Sequence, residues 1–224
     1  VVRLNRVLLL LLLPLASCHW FVVSESLPPE PSPPEQSAPV PPHVDTLVIP
    51  GQRVGPVVAT TSRAELAEIY GEAALADGSI AMGEGTTEAG TVVTPGPDQQ
   101  FSVIWQDASQ TRPQLIKDFG PAWQTPEGLG VGVPYSEVES ALGEFQLYGF
   151  AWDYGGTVML AGSHLERYEG YLLLRLKPAD TALDRHPEAY QSMMGDQLFA
   201  SDNPLLDQLE VAVGEMVVYL EPLP

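Results

Sequence analysis

Thr60-Thr61-Ser62-Arg63-Ala64-Glu65-Leu66 is followed, after four more residues, by Gly71. The same register returns in Gly132-Val133-Pro134-Tyr135-Ser136-Glu137-Val138, four residues and Gly143, with Glu137 matching Glu65 and Val138 matching Leu66. The first copy reads as a short helix. Ser62 can cap the N-terminus while Glu65, three residues on, reaches back to complete a capping box. Leu66, Ile69 and Tyr70 follow at helical spacing and form one apolar face. Gly71 then stops the helix, because glycine accepts the left-handed backbone found there. In the second copy Val138, Ala141 and Leu142 repeat the face and Gly143 the stop. Pro134 stands where a Ser or Thr cap would be expected, so the spacing predicts a start at Ser136, with Glu139 three residues later.

Each helix has a similar sequel. Gly90–Val93 and Phe101–Trp105 read as strands split by the Pro95-Gly96-Pro97-Asp98 turn, and Gly156–Met159 and Tyr171–Leu176 read the same way around a longer loop. Leu209–Leu220 is strand-like, with Gly214 a bulge or turn. Asp77-Gly78-Ser79 reads as an ordinary turn. The expectation is an α+β fold: two related helix-plus-antiparallel-hairpin units, small helices packed on an antiparallel sheet. The first unit takes residues 45–120, and the second, with a C-terminal strand, takes 121–224. About 180 residues suffice for one sizeable core or two small ones.

The N-terminus has a different character. Arg3 and Arg6 precede an apolar run from Val7 to Ala16, and Leu15-Ala16-Ser17-Cys18 closes it with the single cysteine of 224 residues. Charge, apolar run and small residues are the order of a secretory signal, residues 1–17. The run is half of the ~20 residues a spanning helix needs, and Pro14 interrupts it. The ending resembles the lipobox of bacterial lipoproteins, which implies a lipidated Cys18 and anchoring on the exported side of the membrane, in the cell envelope or periplasm. An ordinary cleaved signal with a free thiol at Cys18 is the alternative. By resemblance to the sorting rule of some diderm bacteria, His19 in place of an Asp favours the outer membrane. Residues 18–44 continue with eight prolines among Glu, Ser and Gln between Pro28 and Pro42. At ~3.1 Å per residue such a linker could hold a domain up to ~80 Å from the bilayer.

The formal net charge is −19, and becomes −21 once residues 1–17, with two arginines and no acid, are removed. That charge repels nucleic acid, so no nucleic-acid partner is expected, and it leaves anchoring to a lipid rather than to a basic patch. Candidate chemistry is sparse. His19, His43, His164 and His186 lie apart from any nucleophile or metal spacing, Gly83-Glu84-Gly85 is a lone glycine pair, and no Asp-rich calcium loop occurs. No metal, no cofactor and no enzymatic activity are expected.

The densest aromatic segment is Tyr148-Gly149-Phe150-Ala151-Trp152-Asp153-Tyr154-Gly155-Gly156. Strand alternation would set Tyr148, Phe150, Trp152 and Tyr154 on one face, either packed beneath the helices or exposed as a platform with Asp153 opposite. Trp105, ending a strand, is expected in the core. Trp123, in a loop before the second unit, is expected to be the exposed ring. Tyr148, Phe150, Trp152, Tyr154 and Trp123 are therefore the candidate binding residues.

The string Gly-x-[Ser/Thr]-x-x-Glu-[Val/Leu]-x4-Gly followed by a hairpin is similar to the repeat of β-lactamase-inhibitor-like domains. It also resembles the small lipoprotein of the outer-membrane protein assembly machine. The first copy lacks the leading glycine and the second the capping Ser or Thr. Residues 50–178, with Gly149-Phe150-Ala151-Trp152-Asp153-Tyr154-Gly155-Gly156, resemble uncharacterised bacterial lipoproteins that share a Gly-Phe-x-Trp-Asp-Tyr-x-Gly pattern. The resemblance implies a scaffold for contact with an envelope protein, and a small-molecule or glycan module using the aromatic strand is the alternative.

Overall fold

Helix α1 (Arg63–Tyr70) begins as its sequence dictates: the Ser62 side chain accepts from the Glu65 N–H, the Glu65 carboxylate accepts from the Ser62 N–H, and Gly71 ends the helix at φ 85°. Leu66 is fully buried and Tyr70 partly so, but Ile69 is 42 % exposed and does not belong to the packed face. These observations come from a computed structural model that describes residues 45–222. The signal, Cys18 and the proline-rich linker lie outside the described residues.

The strands are β1 (Val48–Ile49), β2 (Arg53–Val54), β3 (Val57–Val58), β4 (Leu75–Gly83), β5 (Thr86–Val93), β6 (Phe101–Trp105) and β7 (Pro113–Lys117) in the first half. Helix α2 (Tyr135–Leu142), β8 (Gln146–Tyr148), β9 (Val158–Met159) and β10 (Leu172–Lys177) follow. Short helices α3 (Ala182–Arg185), α4 (Pro187–Ser192) and α5 (Leu205–Gln208) bracket β11 (Leu198–Ala200), and β12 (Ala212–Val218) comes last. The class is α+β, with antiparallel ladders and small helices. The central sheet has the order β10-β12-β7-β6-β5-β4, and β1-β2-β3 and β11-β8-β9 form two smaller sheets.

The first hairpin pairs as its sequence implies, Val93 opposite Phe101 and Gly90 opposite Ile104. The second does not. Thr157 and Arg175 meet in a single bridge, while β9 pairs with β8 and β10 with β12. Local sequence showed two strands but not the partner of β10, which lies some forty residues further on. The central sheet takes four strands from residues 45–120 and two from 121–224, joined where Val218 faces Ile116, and both halves feed one core. The division at residue 120 therefore marks motif copies in the sequence, not separate bodies. Helix α2 also starts one residue earlier than its spacing implies: Pro134, with its fixed φ, sits at the N-cap, and Ser136 is inside the first turn. Gly214 is the extra residue where the β10–β12 register shifts, a bulge.

One face of the central sheet carries the main core, in which Val48 and Val54 of the small first sheet, Leu66, Val138 and Leu147 pack with Phe101, Ile116 and Leu174. At its edge a hydrogen-bonded chain ties α1 to the sheet. The Trp105 indole donates to Thr91 Oγ1 at 2.9 Å, Thr91 donates to Asp77 at 2.6 Å, and Arg63 joins Asp77 and Glu72. Asp77-Gly78-Ser79 is thus strand, not turn; it was unreadable because small and acidic residues disfavour strands on average.

The other face is covered by its own hairpin. Lys117 lies level with Ala76 through the pairs Lys117–Ser102, Ser102–Val92 and Val92–Ala76. In a flat sheet Ala81, three strands across and five residues along, would be roughly 20 Å away. Instead the Lys117 ammonium donates to the Ala81 carbonyl at 2.6 Å. The β4–β5 hairpin overhangs β6 beyond Gly90 and folds back at Gly78 and Gly90, which are direct cross-strand partners. A Cβ on Gly90 would lie 2.6 Å from the Val103 carbonyl oxygen and 2.7 Å from Ile80, an approach that only glycine permits. Ile80 thereby covers Ile104, Leu115 and Val217 in a second small cluster. The hairpin closes with Glu84 and Gly85, both at positive φ as its two-residue turn requires.

Candidate functional site

The aromatic segment does not continue as a strand. β8 ends at Tyr148, and Ala151 adopts φ 71°, which breaks the alternation. Residues 151–156 turn, with Gly155 N–H donating to Trp152 O at 2.7 Å and Thr157 N–H to Tyr154 O at 2.9 Å. Gly156 holds the far side: a Cβ there would fall 1.8 Å from the Leu176 carbonyl oxygen. The four aromatics therefore separate. Phe150 is 2 % exposed and donates its N–H to Met193 O, so it belongs to the core and not to a platform. Trp152 and Tyr154 are 60 % and 57 % exposed. Tyr148, half-buried, lies 5.4 Å from the Tyr154 ring.

Trp123 overturns its expected exposure: it is fully buried. Its indole donates to Gln99 O at 2.9 Å and meets Phe101 edge to face at 5.0 Å. A loop position misled because this loop folds over the open side of Phe101, which Phe119 also lines. Trp105 is core, as its place at the end of a strand implies.

Beside Trp152 opens a groove along the outer side of β10. Its apolar end, a hollow of about 160 Å³, is lined by Val158, Leu160, Leu172, Leu173 and Tyr219. Leu173 and Tyr219 continue into a cavity of about 260 Å³ beneath the overhanging hairpin, shared with Met82, Leu115, Lys117, Arg175 and Glu215. Met82, Gly83 and Arg175 in turn continue into an open polar cleft of about 570 Å³ reaching Glu84, Trp152 and Asp153. Lys117 is 8 % exposed, its ammonium 3.7 Å from Glu215 and 3.6 Å from Asp118. Arg175 Nε is buried without a hydrogen-bond partner and lies 3.7 Å from the second Glu215 oxygen. Burial first, and then Glu215, push the Tyr219 phenol above its ordinary range, with Arg175 pulling the other way.

This groove was not among the expected sites. Its signal was the order Leu173-Leu174-Arg175-Leu176-Lys177, in which alternation puts Arg175 on one face with Leu173, but nothing local says that a distant hairpin will roof that face. A separate cleft of about 420 Å³ lies between Glu144, Gln146, Met159 and Asp202.

The carboxyls held below their ordinary range serve structure: Glu65 by the Ser62 backbone and hydroxyl, Glu72 by Arg63, Asp107 by Ser109. Among the described residues no cluster of three or more His, Cys, Asp or Glu is arranged for a metal ion, and no helix is long and apolar enough to cross a membrane. No family model, no curated protein and no solved structure matches this chain.

Proposed function

We propose that this chain is a lipid-anchored cell-envelope protein whose folded domain is a non-enzymatic module for contact with another envelope protein. The observation that supports it is the pair Trp152 and Tyr154, more than half exposed on a turn that its own backbone bonds hold in shape. Exposed Trp and Tyr on a pre-shaped turn offer large contact area with few rotamers to freeze, the character of interface hot spots. Leu198, opposite Tyr148 in β11 and 44 % exposed, extends the same patch. The anchoring half of the reading rests on the Leu15-Ala16-Ser17-Cys18 string.

The test is in-cell photo-crosslinking from position 152 at native expression level, with adducts identified by mass spectrometry. A discrete protein adduct, absent when the probe is moved to buried Val103, supports the reading. No adduct from a solvent-accessible probe overturns it. For the anchor, Cys18→Ala should move the protein from the membrane to the soluble fraction and abolish incorporation of labelled palmitate. The second reading, a glycan module, draws on the open polar cleft beside Trp152, where Glu84, Asp153 and Arg175 could bind hydroxyls under a stacked sugar. Saturable quenching of Trp152 fluorescence by an oligosaccharide, lost in Trp152→Ala, would favour it over the first.

A further inference from the structure

We propose that the groove beneath the β4–β5 hairpin binds an amphiphile with an anionic head, a medium- to long-chain carboxylate, its tail between Leu173 and Tyr219 and its carboxylate between Arg175 and Lys117. This stands apart from the contact reading of Trp152, since it rests on the groove and not on the exposed turn.

The groove grades from apolar to cationic along its length. The hollow at Val158, Leu160 and Leu172 is mostly carbon, and the cavity that continues it holds the two cations. Of the two, Arg175 is underserved. Arg175 has Glu215 at 3.7 Å, beyond hydrogen-bond length, and its Nε is buried with no acceptor, whereas Lys117 donates to the Ala81 carbonyl and has Asp118 at 3.6 Å and Glu215 at 3.7 Å. A ligand carboxylate beside Arg175 would supply the charge-assisted acceptor that its Nε lacks. In a chain of net charge −19, Lys117 and Arg175 set against Glu215 and Asp118 leave this groove locally balanced rather than acidic, so a single carboxylate can approach Arg175.

Two other occupants fit less well. A polyanion would be repelled by the rest of the molecule and would leave the apolar end unfilled. An extended peptide adding to β10 would need its free edge, but that edge is already bonded: Leu176 N–H donates to Gly156 O at 2.8 Å, and Thr157 bridges Arg175. Access is through the roof. The overhanging hairpin is held by Ile80, by half-buried Met82 and by the Lys117–Ala81 bond, while most of residues 76–89 face solvent. A tail can enter by lifting it about its glycine pair.

The test uses the full chain carrying Cys18→Ala, purified without detergent, and titration calorimetry with decanoate below its micelle concentration. One decanoate should bind per chain, with 1-decanol and acetate each at least tenfold weaker, so that tail and head are both required. Arg175→Gln should lower decanoate affinity tenfold or more. Leu173→Trp, which fills the half-buried apolar end without touching the main core, should abolish binding while the melting temperature holds. The proposal is overturned if decanoate shows no saturable one-to-one binding, or if 1-decanol binds equally well. It is overturned too if either folded variant binds decanoate like the parent. Should one variant fail to fold, the other and the 1-decanol comparison decide. None of these readouts depends on the partner sought from position 152.

Discussion

Trp123 donates its indole N–H to Gln99 and packs edge to face with Phe101, so truncating it leaves a void and an unpaired carbonyl together. Trp123→Ala should cost about 3–5 kcal/mol in urea unfolding. Trp152→Ala, at a side chain 60 % exposed, should change stability by about 0.5 kcal/mol or less. Equal losses at both positions would refute this placement of the two rings. Glu65 offers a pH prediction. Its folded carboxyl sits below the ordinary value of 4.5 because the Ser62 N–H and hydroxyl bind the charged form. A lowered pKa means that this stabilisation is present above the unfolded value and is lost as pH falls through the folded one. Stability measured from pH 7 down to pH 3 should thus fall less steeply below about pH 4.5 in Glu65→Gln, which cannot titrate, than in the parent. Parallel curves would mean that the capping box is absent in solution.

Elements were legible where the signal was local. The cap of α1 needed only Ser62 and Glu65, and the β5–β6 pair only its turn at 95–98. What escaped was set by distance or by backbone: β10 finds β12 far along the chain, and Ala151 leaves the strand by a positive φ that no hydrophobic pattern announces. The β4 strand escaped because Gly78 and Ser79 disguise it, and with it went the roof of the groove. Its hinge is testable. Gly90→Ala forces a Cβ against the Val103 carbonyl and Ile80, and should destabilise by about 1–3 kcal/mol. Gly78→Ala meets nothing within 4 Å and should be nearly neutral. If denaturation shows the two substitutions alike, the hairpin does not fold back at this pair.

At the scale of the molecule, one core draws on both motif copies, so residues 45–222 should unfold in a single calorimetric transition with equal van't Hoff and calorimetric enthalpies. Two separable transitions would restore the division at residue 120. Twenty-nine acids against ten bases make the folded state self-repelling, and raising salt from 0.05 to 0.5 M should raise the melting temperature. A fall would show that ion pairs such as Arg63–Glu72 outweigh the repulsion. The place of β12 has a temporal meaning. It lies between β10 and β7, inside the sheet, although it follows the sheet's five other strands in the chain. Until residues 212–218 leave the ribosome, β10 has no ladder partner and the sheet exists only as its β4–β7 portion. The central sheet can therefore close only after residues 212–218 have been added, and β10 waits some forty residues of synthesis for its partner.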